Sequence, residues 1–285
     1  MSKFFNETLK VRNTTLQEEG SKQTGFQELV KAALSPVGPS VDLGTTRLDE
    51  CARIDNPLTG LLQAQFKGSD SVESVLESYR ALRTRLLRLR SDLGLRSVII
   101  TSASQGEGKT FTSLNLAACC AQLHEMRVLL IDGDIRSRGL SQKLGSLSGP
   151  GLSDVLAGKC EPENAVLGTD IPNLYVISSG SASKPSAELF AGQGWQDLIA
   201  WSSDSFNLVI VDSPPVLNLA DVELMTAACD GVLMVVRALH TKRDLLEKST
   251  SQIDSKKLLG VVYNGVEHSA NEYRYQHSGV VAGEK

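Results

Sequence analysis

From Val72 the chain repeats apolar residues at three- and four-residue steps: Val72, Val75, Leu76, Tyr79, Leu82, Leu86 and Leu89. That spacing predicts an amphipathic helix with one apolar stripe. The opposite face carries Glu77, Arg80, Arg83, Arg85, Arg88 and Arg90. The period then changes. Short β-branched or apolar runs recur at Val98–Thr101, Arg127–Ile131, Leu174–Ile177, Phe206–Val211, Gly231–Arg237 and Leu258–Tyr263, each bounded by small or polar residues, and these predict buried strands. Between them lie helix-compatible stretches at Phe111–Leu123, Gly151–Gly158, Pro185–Phe190 with Ser186 as a cap, Asp221–Cys229, and onward from Lys242. Alternation of strand and helix predicts an α/β fold: a doubly wound, mainly parallel sheet with helices on both faces.

The flanks differ from this core. Residues 1–70 mix Thr, Ser, Gln, Gly and Pro with brief apolar patches, which predicts an extended or partly disordered leader. The globular domain is expected over 71–268. Residues 269–285 have no periodicity and hold Tyr273 and Tyr275, two of the chain's five tyrosines, so a flexible tail is expected there.

Composition narrows the function. The formal net charge of −4 balances the arginine-rich stretch and gives no reason to expect nucleic-acid binding. No apolar run approaches bilayer length and the first residues lack a signal-peptide core, so a cytoplasmic location is expected. Five cysteines without metal-ligand spacing are expected to be reduced thiols.

The candidate chemistry starts where the strand from Val98 breaks into Ala103-Ser-Gln-Gly-Glu-Gly-Lys-Thr110 and then into a helix. A glycine-rich turn at a helix mouth aims backbone N–H groups and the positive end of the helix dipole at one point, which suits a polyphosphate. Gly106, Glu107, Gly108, Lys109, Thr110 and Phe111 are the expected nucleotide contacts, with Lys109 on the phosphates and Thr110 on Mg²⁺. The usual first glycine of such a loop is Ala103 here. Asp132 and Asp134 follow the next strand and Asp212 closes another. In an open α/β sheet that edge is where ligands bind, so Asp212 is expected to hold the Mg²⁺ shell. Asp-Gly-Asp could equally be a turn with an Asx cap. Asn264, at the end of the last strand, could hydrogen-bond a purine or serve as a turn residue.

Together these stretches resemble the bacterial tyrosine kinases, the phosphate-loop autokinases of capsule and exopolysaccharide export. The resemblance rests on the loop Ser104–Thr110, on Leu129-Leu-Ile-Asp-Gly-Asp-Ile-Arg136, on Val209-Ile-Val-Asp-Ser-Pro-Pro215, on Gly151–Gly158, and on Glu77-x-x-Arg80-x-x-Arg83. It implies ATP and Mg²⁺ as cofactors, Lys109, Asp132 and Asp134 as catalytic, and Thr110, Asp134 and Asp212 around the metal. Asp132 would be the base for an incoming tyrosine. It further implies autophosphorylation at Tyr273 and Tyr275, ring contacts through Glu77, Arg80 and Arg83, and activation by a membrane-embedded chain-length or export protein at the inner face of the plasma membrane. Gln105 stands where the family commonly has Pro, and the tail has fewer tyrosines than the family's usual cluster. Two other readings fit the same loop. Partitioning and division-site ATPases share it but usually carry a second lysine where Ser104 stands, and a non-catalytic, ATP-gated chain-length regulator would need only the nucleotide site.

Overall fold

A computed structural model describes residues 51–54, 58–65, 72–145, 149–181, 184–217 and 220–266. Along the chain the elements are α1 (Leu58–Gln65), α2 (Val72–Leu93), β1 (Ser97–Ser102), α3 (Lys109–Ala121), β2 (Val128–Asp132), α4 (Gly139–Leu144), α5 (Leu152–Leu156), α6 (Pro162–Ala165) and β3 (Val166–Gly168). They continue with β4 (Leu174–Ile177), α7 (Ser186–Ala191), α8 (Gln193–Ser205), β5 (Leu208–Asp212), α9 (Ala220–Ala228), β6 (Gly231–Arg237), α10 (Arg243–Thr250) and β7 (Leu258–Asn264). The strands form one seven-stranded sheet in the order β3-β4-β2-β5-β1-β6-β7. Every pairing is parallel except β3 with β4.

Strands β1, β2 and β5 are buried along their whole length, because helices cover both faces of the sheet and leave neither face to solvent. On one face Ile99, Ile131 and Val211 join Leu152, Trp195, Leu198 and Met225 from α5, α8 and α9. On the other, Ile100, Leu130 and Ile210 join Leu58, Tyr79, Leu86, Leu114 and Leu140 from α1 to α4. Alternate residues of one strand therefore feed two separate cores, and the doubly wound architecture is the one the alternation predicts.

Several details differ from that prediction. Residues inside the expected leader pack on the domain: Gly168 exchanges backbone bonds with Ala52 and Ile54 at 2.8 and 3.0 Å, and Asp170 accepts the Leu58 N–H at 2.6 Å, the Thr59 N–H at 3.1 Å and the Thr59 hydroxyl. A carboxylate at the first turn of α1 satisfies N–H groups that the helix itself cannot, and Leu58 is buried beneath it. Ser186 does not cap α7. Pro185 takes that position and the Ser186 hydroxyl donates to Asp221 at 2.7 Å. Helix α8 went unpredicted, although Trp195, Leu198, Ile199 and Ser202, its buried residues, lie on one helical face. The tail tyrosines Tyr273 and Tyr275 lie outside the described residues.

Candidate active site

The parallel register brings the candidate acids together. Asp132 and Asp212 are Cα partners on the neighbouring strands β2 and β5, and β1, which runs into the glycine loop, pairs with β5 on its other side. The loop enters α3 through Gly106 and Gly108 at φ 80° and 96°, left-handed values that favour glycine. At Gly108 the need is also steric, since a Cβ there would sit 1.9 Å from Asn264 Nδ2. By the geometry of any α-helix, the first N–H groups of α3 leave its N-terminal end without intrahelical acceptors.

Lys109 Nζ lies 3.3 Å from Asp134 Oδ2, with both side chains largely buried. The other oxygen of Asp134 accepts the Ser137 N–H at 3.0 Å. The Asx turn and the lysine partner are thus the two halves of one carboxylate. Asp212 Oδ1 accepts the Ser113 hydroxyl at 3.2 Å from the second turn of α3. Burial pushes the Asp212 carboxyl up to about 7, against the pull of Lys109, Thr110 and Ser113 and with the help of Asp132. Asp132 is raised as well, first by burial and further by Asp134, while Ser141 acts the other way. Ser141 donates both its N–H, at 2.8 Å, and its hydroxyl, at 2.6 Å, to Asp132 Oδ2, and Ser179 N–H donates to the Ser141 hydroxyl at 2.9 Å.

Asp132 Oδ1 and Asp212 Oδ2 are left buried without a hydrogen-bond partner. The orphaned Asp212 oxygen is an acceptor that a divalent cation satisfies, while the Asp132 oxygen is left able to accept a proton. Among the described residues no three His, Cys, Asp or Glu side chains form a ready-made cage. That suits Mg²⁺, which takes one or two carboxylates and completes its shell with phosphate and water.

Other candidates fall into different roles. The Phe111 ring faces inward, its centroid 6.3 Å from that of Tyr79 on α2. The Glu107 side chain is fully buried and turns into its own loop. Asn264 Nδ2 donates to the Glu107 carbonyl at 3.0 Å, so this end of its side chain braces the loop. Arg83 Nη1 donates to the Cys119 carbonyl at 2.8 Å, near the C-terminal end of α3, and Arg80 pairs with Glu77 at 3.0 Å on the exposed face of α2. Arg136 Nε reaches Asp221 Oδ2 at 3.0 Å and the Ser186 hydroxyl at 2.9 Å. Ser113, Ser141, Ser179 and Asp221 escaped the sequence reading, because a lone serine or helix-start aspartate carries no spacing signal.

The AAA domain family matches residues 96–255, the stretch that holds this whole junction. The tyrosine-protein kinase YwqD of Bacillus subtilis is 34% identical over 202 residues, which cover 70% of this chain and 85% of YwqD. The tyrosine-protein kinase Wzc of Salmonella typhi is 35% identical over 202 residues, but this chain spans only 28% of its length. The solved kinase domain of the Escherichia coli tyrosine kinase ETK matches with a TM-score of 0.65 and 30% identity, covering 77% of this chain and 84% of that domain. A P-loop fold of this kind implies nucleotide binding, and with the motifs, the sheet order and these likenesses in agreement, the chain belongs to the family of bacterial tyrosine-protein kinases.

Proposed function

We propose that this chain is an ATP-dependent protein-tyrosine kinase that phosphorylates itself and regulates exopolysaccharide or capsule polymerisation and export. The observation that carries the proposal is the junction of one lysine and three buried acids: Lys109 on Asp134 at 3.3 Å, beside Asp132 and Asp212 opposed on adjacent strands. Family membership favours a kinase over the partitioning ATPase, and the lone loop lysine agrees.

The chemistry follows from the charges. Incoming phosphates compete with Asp134 for the Lys109 ammonium, which then neutralises the β and γ oxygens as a point charge. Asp134, freed from that pair, would join Thr110 and Asp212 in holding Mg²⁺. Mg²⁺ held by these residues would screen the charge that develops on the transferred group. Asp132 has one oxygen fixed by Ser141, which leaves Oδ1 to take the phenolic proton as the γ-phosphoryl leaves the ADP oxygen for the tyrosine oxygen. Gly106, Glu107, Gly108 and Phe111 would line the phosphates through backbone groups, and Asn264 would meet the purine through its carbonyl oxygen.

Around this centre we place a ring in which Glu77, Arg80 and Arg83 contact the next subunit and the Tyr273/Tyr275 tail enters a neighbour's site. Tethering raises the tail's effective concentration, so weak recognition suffices. Among the described residues no helix is long and apolar enough to cross a membrane. Following the family resemblance, we assign recruitment to the inner face of the plasma membrane to a membrane-embedded chain-length or export protein. The kinase reading is tested by Asp132→Asn, which is expected to bind ATP within about twofold of wild type while transfer falls roughly 10²-fold or more. Parallel loss of binding and transfer would make Asp132 a metal-shell residue instead.

A further inference from the structure

We propose that Thr241, in the turn after β6, is a positioning residue that sets the shape of the phosphate loop through Glu107. The inference rests on the nucleotide reading of that loop and adds a residue outside all of its motifs.

Glu107 is an acid with no exposed surface in a loop otherwise built of small and polar residues. Its carboxylate is held by the chain on both sides: Oε2 accepts the Ala103 N–H at 3.0 Å, and Oε1 accepts the Ser104 hydroxyl at 2.9 Å and the Thr241 hydroxyl at 2.8 Å. The first two bonds close the loop on itself. The third ties it to β6. Thr241 is itself fixed, since its oxygen accepts the Arg237 N–H at 3.1 Å and its N–H donates to the Arg237 carbonyl at 3.0 Å. From β7, Asn264 grips the Glu107 carbonyl at 3.0 Å. A loop with two left-handed glycines gives up much conformational freedom on ordering, and a loop already held in its bound shape does not charge that cost to the ligand. Thr241 supplies the anchor that comes from outside the loop to the carboxylate.

This role is distinguishable from general structural support. Thr241→Val removes the hydroxyl and keeps the shape, while Thr241→Ser keeps the hydroxyl and drops the methyl group. Dissociation constants for ATP and for inorganic tripolyphosphate are measured on the full chain, well below each variant's melting temperature. The proposal expects Thr241→Val to weaken both ligands roughly tenfold and Thr241→Ser to stay near wild type. It is overturned if Thr241→Val binds both ligands as wild type does. It is likewise overturned if that variant loses ATP but keeps tripolyphosphate, which would place Thr241 on the base side, or if the serine variant is equally weakened, which would make the methyl packing responsible. A wild-type protein that binds neither ligand overturns the nucleotide reading and the anchor with it.

Discussion

At the residue scale the electrostatics of the site turn on Asp212, a fully buried carboxyl beside a second carboxyl, with one lysine and two hydroxyls to offset the burial. Its folded value of about 7 stands above the ordinary 3.8, so the native state holds a proton that the unfolded chain releases earlier. The contribution to stability is therefore present at acid pH and is lost as pH rises through the window from about 4 to 7. Asp212→Asn, with Lys109 and Asp132 unchanged, is expected to raise the melting temperature of nucleotide-free protein above pH 7 and to change it little below pH 4. It should also abolish the gain in Mg²⁺-nucleotide affinity that is expected of wild type as pH rises past 7. Melting curves and titrations at pH 4, 6 and 8 check both, and a variant no more stable than wild type at pH 8 contradicts the assignment. The loop motif and the strand ends predict that Lys109, Thr110 and the three aspartates share one sheet edge, because strand ends in such a sheet converge there. Spacing could not show that Glu107 points into its own loop, that Ser141 serves Asp132, or that Thr241 serves an acid far along the chain. A hydroxyl acquires its role only through contacts that folding creates.

At the element scale α2 has two faces with separate uses. Its Tyr79 and Leu86 are buried against α3 and the sheet, and Arg83 reaches over to the Cys119 carbonyl. A cation at the last turn of a helix satisfies an orphan carbonyl and complements the helix dipole. Arg83→Ala should therefore cost the isolated subunit about 1 kcal/mol, or roughly 2–4 °C in melting temperature for a domain of this size. Arg80→Ala, which breaks a partly exposed pair with Glu77, should lower melting less than Arg83→Ala does and weaken assembly more. Thermal melts at a concentration where the protein is monomeric, set beside light scattering at higher concentration, separate the two effects; equal melting of both variants would mean that the Arg83 bond adds nothing within the subunit. The apolar period made α2, α3 and six of the seven strands legible as elements. Strand β3 has only three residues, Val166–Gly168, too few for any period to register, and its antiparallel pairing is decided by the chain turning back at 169–173. The packing of 52–54 and of Leu58 and Thr59 was hidden because their anchors, Gly168 and Asp170, lie more than 100 positions away.

At the scale of the whole molecule the sheet sorts the chain into a rigid centre and peripheral parts that answer to it. Strands β2, β5 and β1 stand in the middle of the order, and the groups that would bind and transfer phosphate emerge from their ends. The more peripheral β6 and β7 lock the loop through Thr241 and Asn264. Beyond β7 the chain continues toward Tyr273 and Tyr275, so the proposed acceptors follow directly from the strand that touches the phosphate loop. The proposed activity is transfer of a phosphoryl group from ATP to tyrosine at this junction. Its most direct test is mass-spectrometric mapping of phosphotyrosine on purified full-length protein after incubation with ATP and Mg²⁺, beside the Lys109→Met variant, which keeps the bulk of the side chain and removes its charge. The expected result is phosphate on Tyr273 or Tyr275 in wild type and none in the variant. Phosphotyrosine at equal levels in both proteins, or none in wild type even with membranes containing its partner present, would contradict it.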